Sequence, residues 1–101
     1  MLKDKMQAIQ NKQIRGAILW LLSATDPTPT PVNSVVNALL SDGRITTPDV
    51  SKHISYLQHR GYIEVKAVPS PYTQPGLEYL KLTSTGVDVL EETITDAGVD
   101  V

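Results

Sequence analysis

The stretch TTPDVSKHISYLQHRGYIEVK, Thr46–Lys66, decides the fold. It holds a helix start, a helix stop and a change of hydrophobic period. Thr47 is placed to cap, Pro48 suits the first turn, and Asp49 complements the positive end of the helix dipole. Val50, Ile54 and Leu57 recur at helical spacing and form a core stripe. Gly61 stands where a helix end favours a left-handed residue. From Tyr62 the period drops to two, with Ile63 and Val65 alternating against Glu64 and Lys66. The helical face opposite the apolar stripe centres on Lys52 and His59. Ser55 and Tyr56 flank it, and Ser51 lies at its edge.

Working outward, residues from about Leu2 to Ala24 read as a helix with Met6, Ile14, Ala17, Ile18 and Leu21 on its core side. The proline-rich TDPTPTP ends it. Thr30 is placed as a cap with Pro31 at the first position of a second helix, which runs to about Ser41. Val32, Val35, Val36 and Leu39 face inward there, with Leu40 beside them; Asn33, Ser34, Asn37 and Ser41 face out. SDGRIT is a turn, in which Gly43 is free to take positive φ. Downstream of the quoted stretch, LEYLKL pairs with YIEVKAV as a hairpin, with Leu80 and Leu82 inward. Thr83 then caps a fourth helix carrying Val87, Leu90 and Ile94 at core spacing. Gly98 marks its end, and the last residues are expected to be loose.

Composition narrows the function classes. The chain has 101 residues, enough for one domain, and no cysteine, which excludes disulfides, thiolate metal sites and a thiol nucleophile. The N-terminus is charged and amphipathic rather than signal-like, and GAILWLL is too short to span a bilayer, so the expected location is the cytoplasm. The net charge of −2 divides unevenly: residues 1–66 carry a balance of +3 and residues 67–101 one of −5. That leaves room for a polyanion on one face. His53 and His59 are six apart, which is wrong for a metal pair on one helical face. No phosphate-cradling glycine loop, paired carboxylates or triad is present, so neither an enzyme nor a cofactor is expected. His53 reads as a satisfied structural histidine, and Glu91, Glu92 and Asp96 as solvated acids.

Three segments, in order, resemble the winged helix-turn-helix family of DNA-binding domains, of the small bacterial-repressor type. IRGAILWLLSA is similar to its scaffold helix, VSKHISYLQHRGYIEVK to its reading helix and first wing strand, and LKLTSTGVDVLEE to its second wing strand with a Leu-Thr-x-x-Gly helix start. The similarity spans Lys12 to Glu92. It implies a mainly α (α+β) fold of three helices, a β-hairpin wing and a C-terminal helix. The segments are 1–24 for the scaffold and dimerisation helix, 31–61 for the helix-turn-helix, 62–82 for the wing and 83–97 for the C-terminal helix. It also implies a regulator of transcription that binds double-stranded DNA with its third helix in the major groove. Ser51, Lys52, Ser55, Tyr56 and His59 would face bases or phosphates, and Arg60 and Lys66 phosphates.

Two features depart from the pattern. SDGRIT is longer than the tightest helix-turn-helix turn, and the wing tip SPYTQPG lacks Lys and Arg. Pro69, Pro71 and Pro75 stiffen that tip, and Tyr72, Thr73 and Gln74 suit shape contacts, including those with a protein partner. A winged helix serving as a protein-interaction module without DNA is therefore the alternative, since one fold hosts both.

A second stripe on the first helix, Leu2, Ile9, Gly16 and Trp20, lies about a quarter to a third of a turn from the core stripe. Gly16 costs about 1 kcal/mol relative to Ala inside a helix and so calls for a close approach. A homodimer packed through this stripe is one reading, in keeping with how the resembled repressors pair; cover by the chain's own fourth helix is the other.

Overall fold

In the computed structural model, which describes residues 2–68 and 77–101, the amphipathic opening of the chain forms α1 (Leu2–Thr25). There follow β1 (Thr30–Pro31), α2 (Val32–Ser41), α3 (Ser51–His59), β2 (Ile63–Val68), β3 (Leu77–Leu82) and α4 (Ser84–Leu90). The three strands make an antiparallel sheet in the order β1-β3-β2. The hairpin tip with Tyr72, Thr73 and Gln74 lies outside the described residues.

The core joins all the longer elements. Ile14, Ile18, Leu19 and Leu22 of α1 meet Val35, Val36 and Leu39 of α2, Ile54 and Leu57 of α3, and Ile63, Leu80 and Leu82 of the sheet. The period of two holds in the hairpin: Ile63 pairs with Leu82 and Val65 with Leu80, turning one face inward. Glu64 and Lys66, between them, are exposed.

Several boundaries differ from the sequence expectation, each for a local reason. Thr30 and Pro31 do not start α2; they add a short edge to β3, opposite Leu80 and Tyr79. A proline is tolerated there because an edge position requires no N–H. Thr30 is buried, and its hydroxyl bonds that of Thr25 instead of capping a helix. α3 begins at Ser51 rather than near Pro48, because the Asp49 carboxylate accepts from the Ser51 N–H at 3.0 Å and fixes a turn ahead of the helix.

α4 is shorter than the expected 83–97 and stops at Leu90. Glu92 adopts a left-handed φ of 60°, Glu92 N–H donates to Val89 C=O and Thr93 N–H to Asp88 C=O. That bonding closes a helix without the usual glycine. Ile94 therefore loses helical phase and is exposed rather than part of the core. Leu40 is also exposed, at the edge of α2.

The end of the chain is packed where loose residues were expected. Val99 is buried in the core, and Asp100 N–H donates to Lys12 C=O at 3.0 Å. At the other end every residue from Leu2 to Gln10 is exposed. Met6 is thus not a core residue; the body reaches α1 only further along the helix.

Candidate nucleic-acid interface

α3 is held at both ends by contacts its own sequence sets up. At its start the Ser51 side-chain hydroxyl and backbone N–H both bond Asp49, at 2.6 and 3.0 Å, and these bonds hold the Asp49 carboxyl below its usual range. At its end Gly61, at φ 77°, turns the chain into β2. Thr83 locks that corner: its hydroxyl donates to Gly61 C=O at 2.6 Å and accepts from Gly86 N–H at 3.1 Å. Gly86 is obligatory there, since a Cβ would stand 2.3 Å from the Tyr62 carbonyl oxygen. The Leu-Thr-x-x-Gly sequence is thus the clamp between the end of α3 and α4.

Between those ends, Ile54 and Leu57 are buried, while Ser51, Lys52, Ser55, Gln58 and His59 are exposed. Helical spacing places Lys52, Ser55 and His59 on one face. Among the described residues their side chains make no hydrogen bond or ion pair within the chain, so they are available to a partner. Gln58 was missed in the sequence reading. The signal was its spacing of three from Ser55 and seven from Ser51. Lys66 is exposed on β2, opposite Tyr79.

Tyr56 is placed differently from the expectation. Tyr56 is half-buried, its ring packed under the Arg15 guanidinium at 3.9 Å and beside that of Arg60 at 5.1 Å. Its hydroxyl donates to Asp96 at 3.0 Å. Arg60 also faces Asp96, with Nε 3.8 Å from the carboxylate. The Tyr56 side chain is turned to the chain's own C-terminal segment, which corrects its assignment as a free DNA-facing group, whereas Arg60 stays 56% exposed beside that carboxylate.

Asp96 is the residue that sequence reasoning undervalued. Its side chain is 5% exposed, and it accepts from Tyr56, from Tyr62 at 2.5 Å and from Gly98 N–H at 2.7 Å. Burial opposes its ionisation, but the bonds from Tyr62, Gly98 and Tyr56 and the nearby Arg60 outweigh it and hold the carboxyl below its usual range. Tyr62 is pushed up to about 12 by burial and by its bond to that carboxylate. The Asp-Ala-Gly run was the available signal, as a short carboxylate bonds a backbone N–H two residues on.

His53 is buried, 3% exposed, and its Nδ1 has no hydrogen-bond partner among the described residues, so it is not the satisfied histidine expected. Burial, then the charges of Arg15 and Lys52, push its pKa down to about 4.

On α1, Leu2, Ile9 and Trp20 are exposed, the last by 51%. Gly16 is not part of that open surface. It is buried, and a Cβ there would stand 1.8 Å from the Asp100 carbonyl oxygen. The close approach that this glycine permits is made by the C-terminal segment of the same chain, which removes Gly16 from the dimer stripe. The described residues contain no cluster of His, Cys, Asp and Glu that could hold a metal ion, and no helix long and apolar enough to cross a membrane.

No protein-family model matches the chain, and no curated protein matches it in sequence. Among solved structures it is similar to the X-ray structure of a PadR-like transcription factor from bacteroid fragilis. The TM-score is 0.67 at 20% identity, over 91% of this chain and 84% of that one. The likeness is one of fold, and the fold is winged-helix-like.

Proposed function

We propose that this chain is a sequence-specific duplex-DNA-binding regulator of transcription, with α3 laid in the major groove. The observation that carries the reading is the exposed face of Lys52, Ser55, Gln58 and His59 on a helix clamped at both ends. Lysine reaches guanine O6 and N7, glutamine is suited to adenine N6 and N7, and serine to either, while Lys66 is placed for a phosphate. The fold shared with a transcription factor agrees with this assignment.

The test is duplex binding at graded salt, using a site enriched from a random library. With few basic side chains in play, log K is expected to fall shallowly with log salt, by about 0.9 for each neutralised phosphate. Lys52→Ala is expected to weaken the enriched site roughly tenfold, within the range of about 1–3 kcal/mol for a good base contact, and to leave thermal unfolding unchanged. Equal binding by the parent and Lys52→Ala would remove α3 as the reader. A parent that prefers no duplex at any salt would leave the protein-interaction module as the reading.

The same proposal includes a homodimer built on α1. Leu2, Met6 and Ile9 lie on a stretch whose residues are all exposed, and Trp20 adds an exposed aromatic further along. A helical segment of this length gains little stability alone in water, and a second copy would cover its apolar side. Two-fold pairing would also set two α3 helices about one DNA turn, roughly 34 Å, apart. Sedimentation is expected to give a dimer at micromolar concentration, and Ile9→Glu and Trp20→Glu are each expected to shift it toward monomer with α3 intact. Trp20 is the sole tryptophan, so its fluorescence reports the same equilibrium. A parent that stays monomeric at high concentration would end this part of the proposal, along with the expectation of a palindromic site.

A further inference from the structure

We infer that Asp96 is a positioning residue for α3: one buried carboxylate fixes the C-terminal half of the helix to the body and thereby decides which side chains α3 presents. Four groups converge on it. Oδ1 accepts from Tyr56 hydroxyl and Gly98 N–H, and Oδ2 accepts from Tyr62 hydroxyl and faces Arg60 Nε. Tyr56 and Arg60 belong to the last turn of α3 and its cap, and Tyr62 begins the run into β2. The anchor is fastened in turn to α1, because Arg15 donates to Gly98 C=O at 3.1 Å and stacks on Tyr56.

This arrangement has a consequence for recognition. With Tyr56 held back, the exposed face of α3 is left to Ser51, Lys52, Ser55, Gln58 and His59, with Arg60 exposed at its C-cap. The carboxylate therefore raises discrimination by fixing the angle of the reading face. The inference rests on α3 being the DNA-contacting helix.

Asp96→Asn removes the charge and keeps the shape. It is to be measured well below its unfolding temperature, at 10 °C, with folding verified by circular dichroism. The ratio of specific to non-specific duplex affinity is expected to fall at least tenfold. A merely structural carboxylate would lower the unfolding temperature and leave that ratio unchanged, and that result would overturn the inference.

A second readout needs no DNA. The Arg60, Gly61 and Tyr62 amides, which bond back to Tyr56, Gln58 and Leu57 to close α3, are expected to exchange hydrogen at least tenfold faster in the variant, with α2 unaffected. Uniform acceleration over the whole chain, or none, would overturn the positioning role. If Asp96→Asn does not fold, Tyr56→Phe removes the phenol that ties α3 to the carboxylate and is judged by the same two measurements. A parent with no duplex preference would refute the DNA-binding reading, while the exchange experiment would still decide whether Asp96 holds α3.

Discussion

Gly16→Ala is expected to destabilise the protein by about 2–3 kcal/mol, although alanine is the better helix former. On propensity alone the change would stabilise α1 by about 1 kcal/mol. The added methyl, however, would stand 1.8 Å from the Asp100 carbonyl oxygen, and that neighbour is backbone rather than a side chain able to swing aside. The C-terminal segment must lift. Lifting it exposes Val99, worth roughly 1.5–3 kcal/mol of burial, and breaks the Asp100 to Lys12 hydrogen bond, worth about 1 kcal/mol. It also strains the Arg15 to Gly98 bond that stacks Arg15 on Tyr56. The losses exceed the helical gain. Urea unfolding at neutral pH decides the matter: a lower midpoint with self-association unchanged is the expected result. A higher midpoint with a weakened dimer would mean that a second subunit, not Asp100, lies against Gly16.

That glycine also marks where sequence stops informing. A glycine inside a long helix does announce a close approach, and Gly16 has one. What approaches is a segment more than eighty residues later, and nothing in the local pattern says whether such a neighbour belongs to the same chain or to another. Met6 teaches the same point from the other side. Periodicity identifies the apolar face of α1 but not how far along it the body extends, and at Met6 there is no body.

Local rules carried the features that local forces make. Val50, Ile54 and Leu57 are buried because the 3.6-residue period alone places them together. Thr83 caps α4 because its hydroxyl is within reach of an N–H three residues ahead. β1 escaped notice since two residues are too few to display a period, and Thr-Pro reads as a loop. The end of α4 was hidden because Glu92 takes a conformation usually left to glycine.

The candidate interface divides along the same line. Lys52, Ser55 and His59 were legible as an outward face, since exposure on a helix follows from spacing. Tyr56 was not, because what turns it inward is Asp96, forty residues away, on a segment whose sequence looked solvated. The Asp-Ala-Gly run signals the local bond to Gly98 N–H, but the remote donors to the same carboxylate have no local signature. Only the fold brings it together with Tyr62, Arg60 and the Arg15 stack.

His53 gives the widest pH effect expected of this protein, and it acts from inside α3. Its imidazole is buried with an unpartnered Nδ1, beside the positive charges of Arg15 from α1 and Lys52 from α3. Its pKa is depressed from 6.5 to about 4 in the folded chain. Well above pH 6.5 neither the folded nor the unfolded state binds the proton, and the full stability is present. As the pH falls from 6.5 to 4 the unfolded chain takes up a proton that the folded chain refuses, so stability drops by about 1.4 kcal/mol per unit. The whole window amounts to about 3 kcal/mol, a large part of what a domain of this size has to lose. Asp96 adds to the loss lower down, since its depressed carboxyl gives up its contribution only as pH falls through the acid range below 4. Urea midpoints taken between pH 7 and 4.5 are expected to decline steeply in the parent. In His53→Leu, which has nothing to protonate at that site, they are expected to stay nearly level. At pH 7 the same variant is expected to lie within about 1 kcal/mol of the parent, because the lost shape complementarity is offset by removal of an unsatisfied buried nitrogen. An NMR signal of His53 that titrates above pH 6, or a variant that keeps the parent's slope, would show that the ring is not held neutral and that acid lability comes from elsewhere.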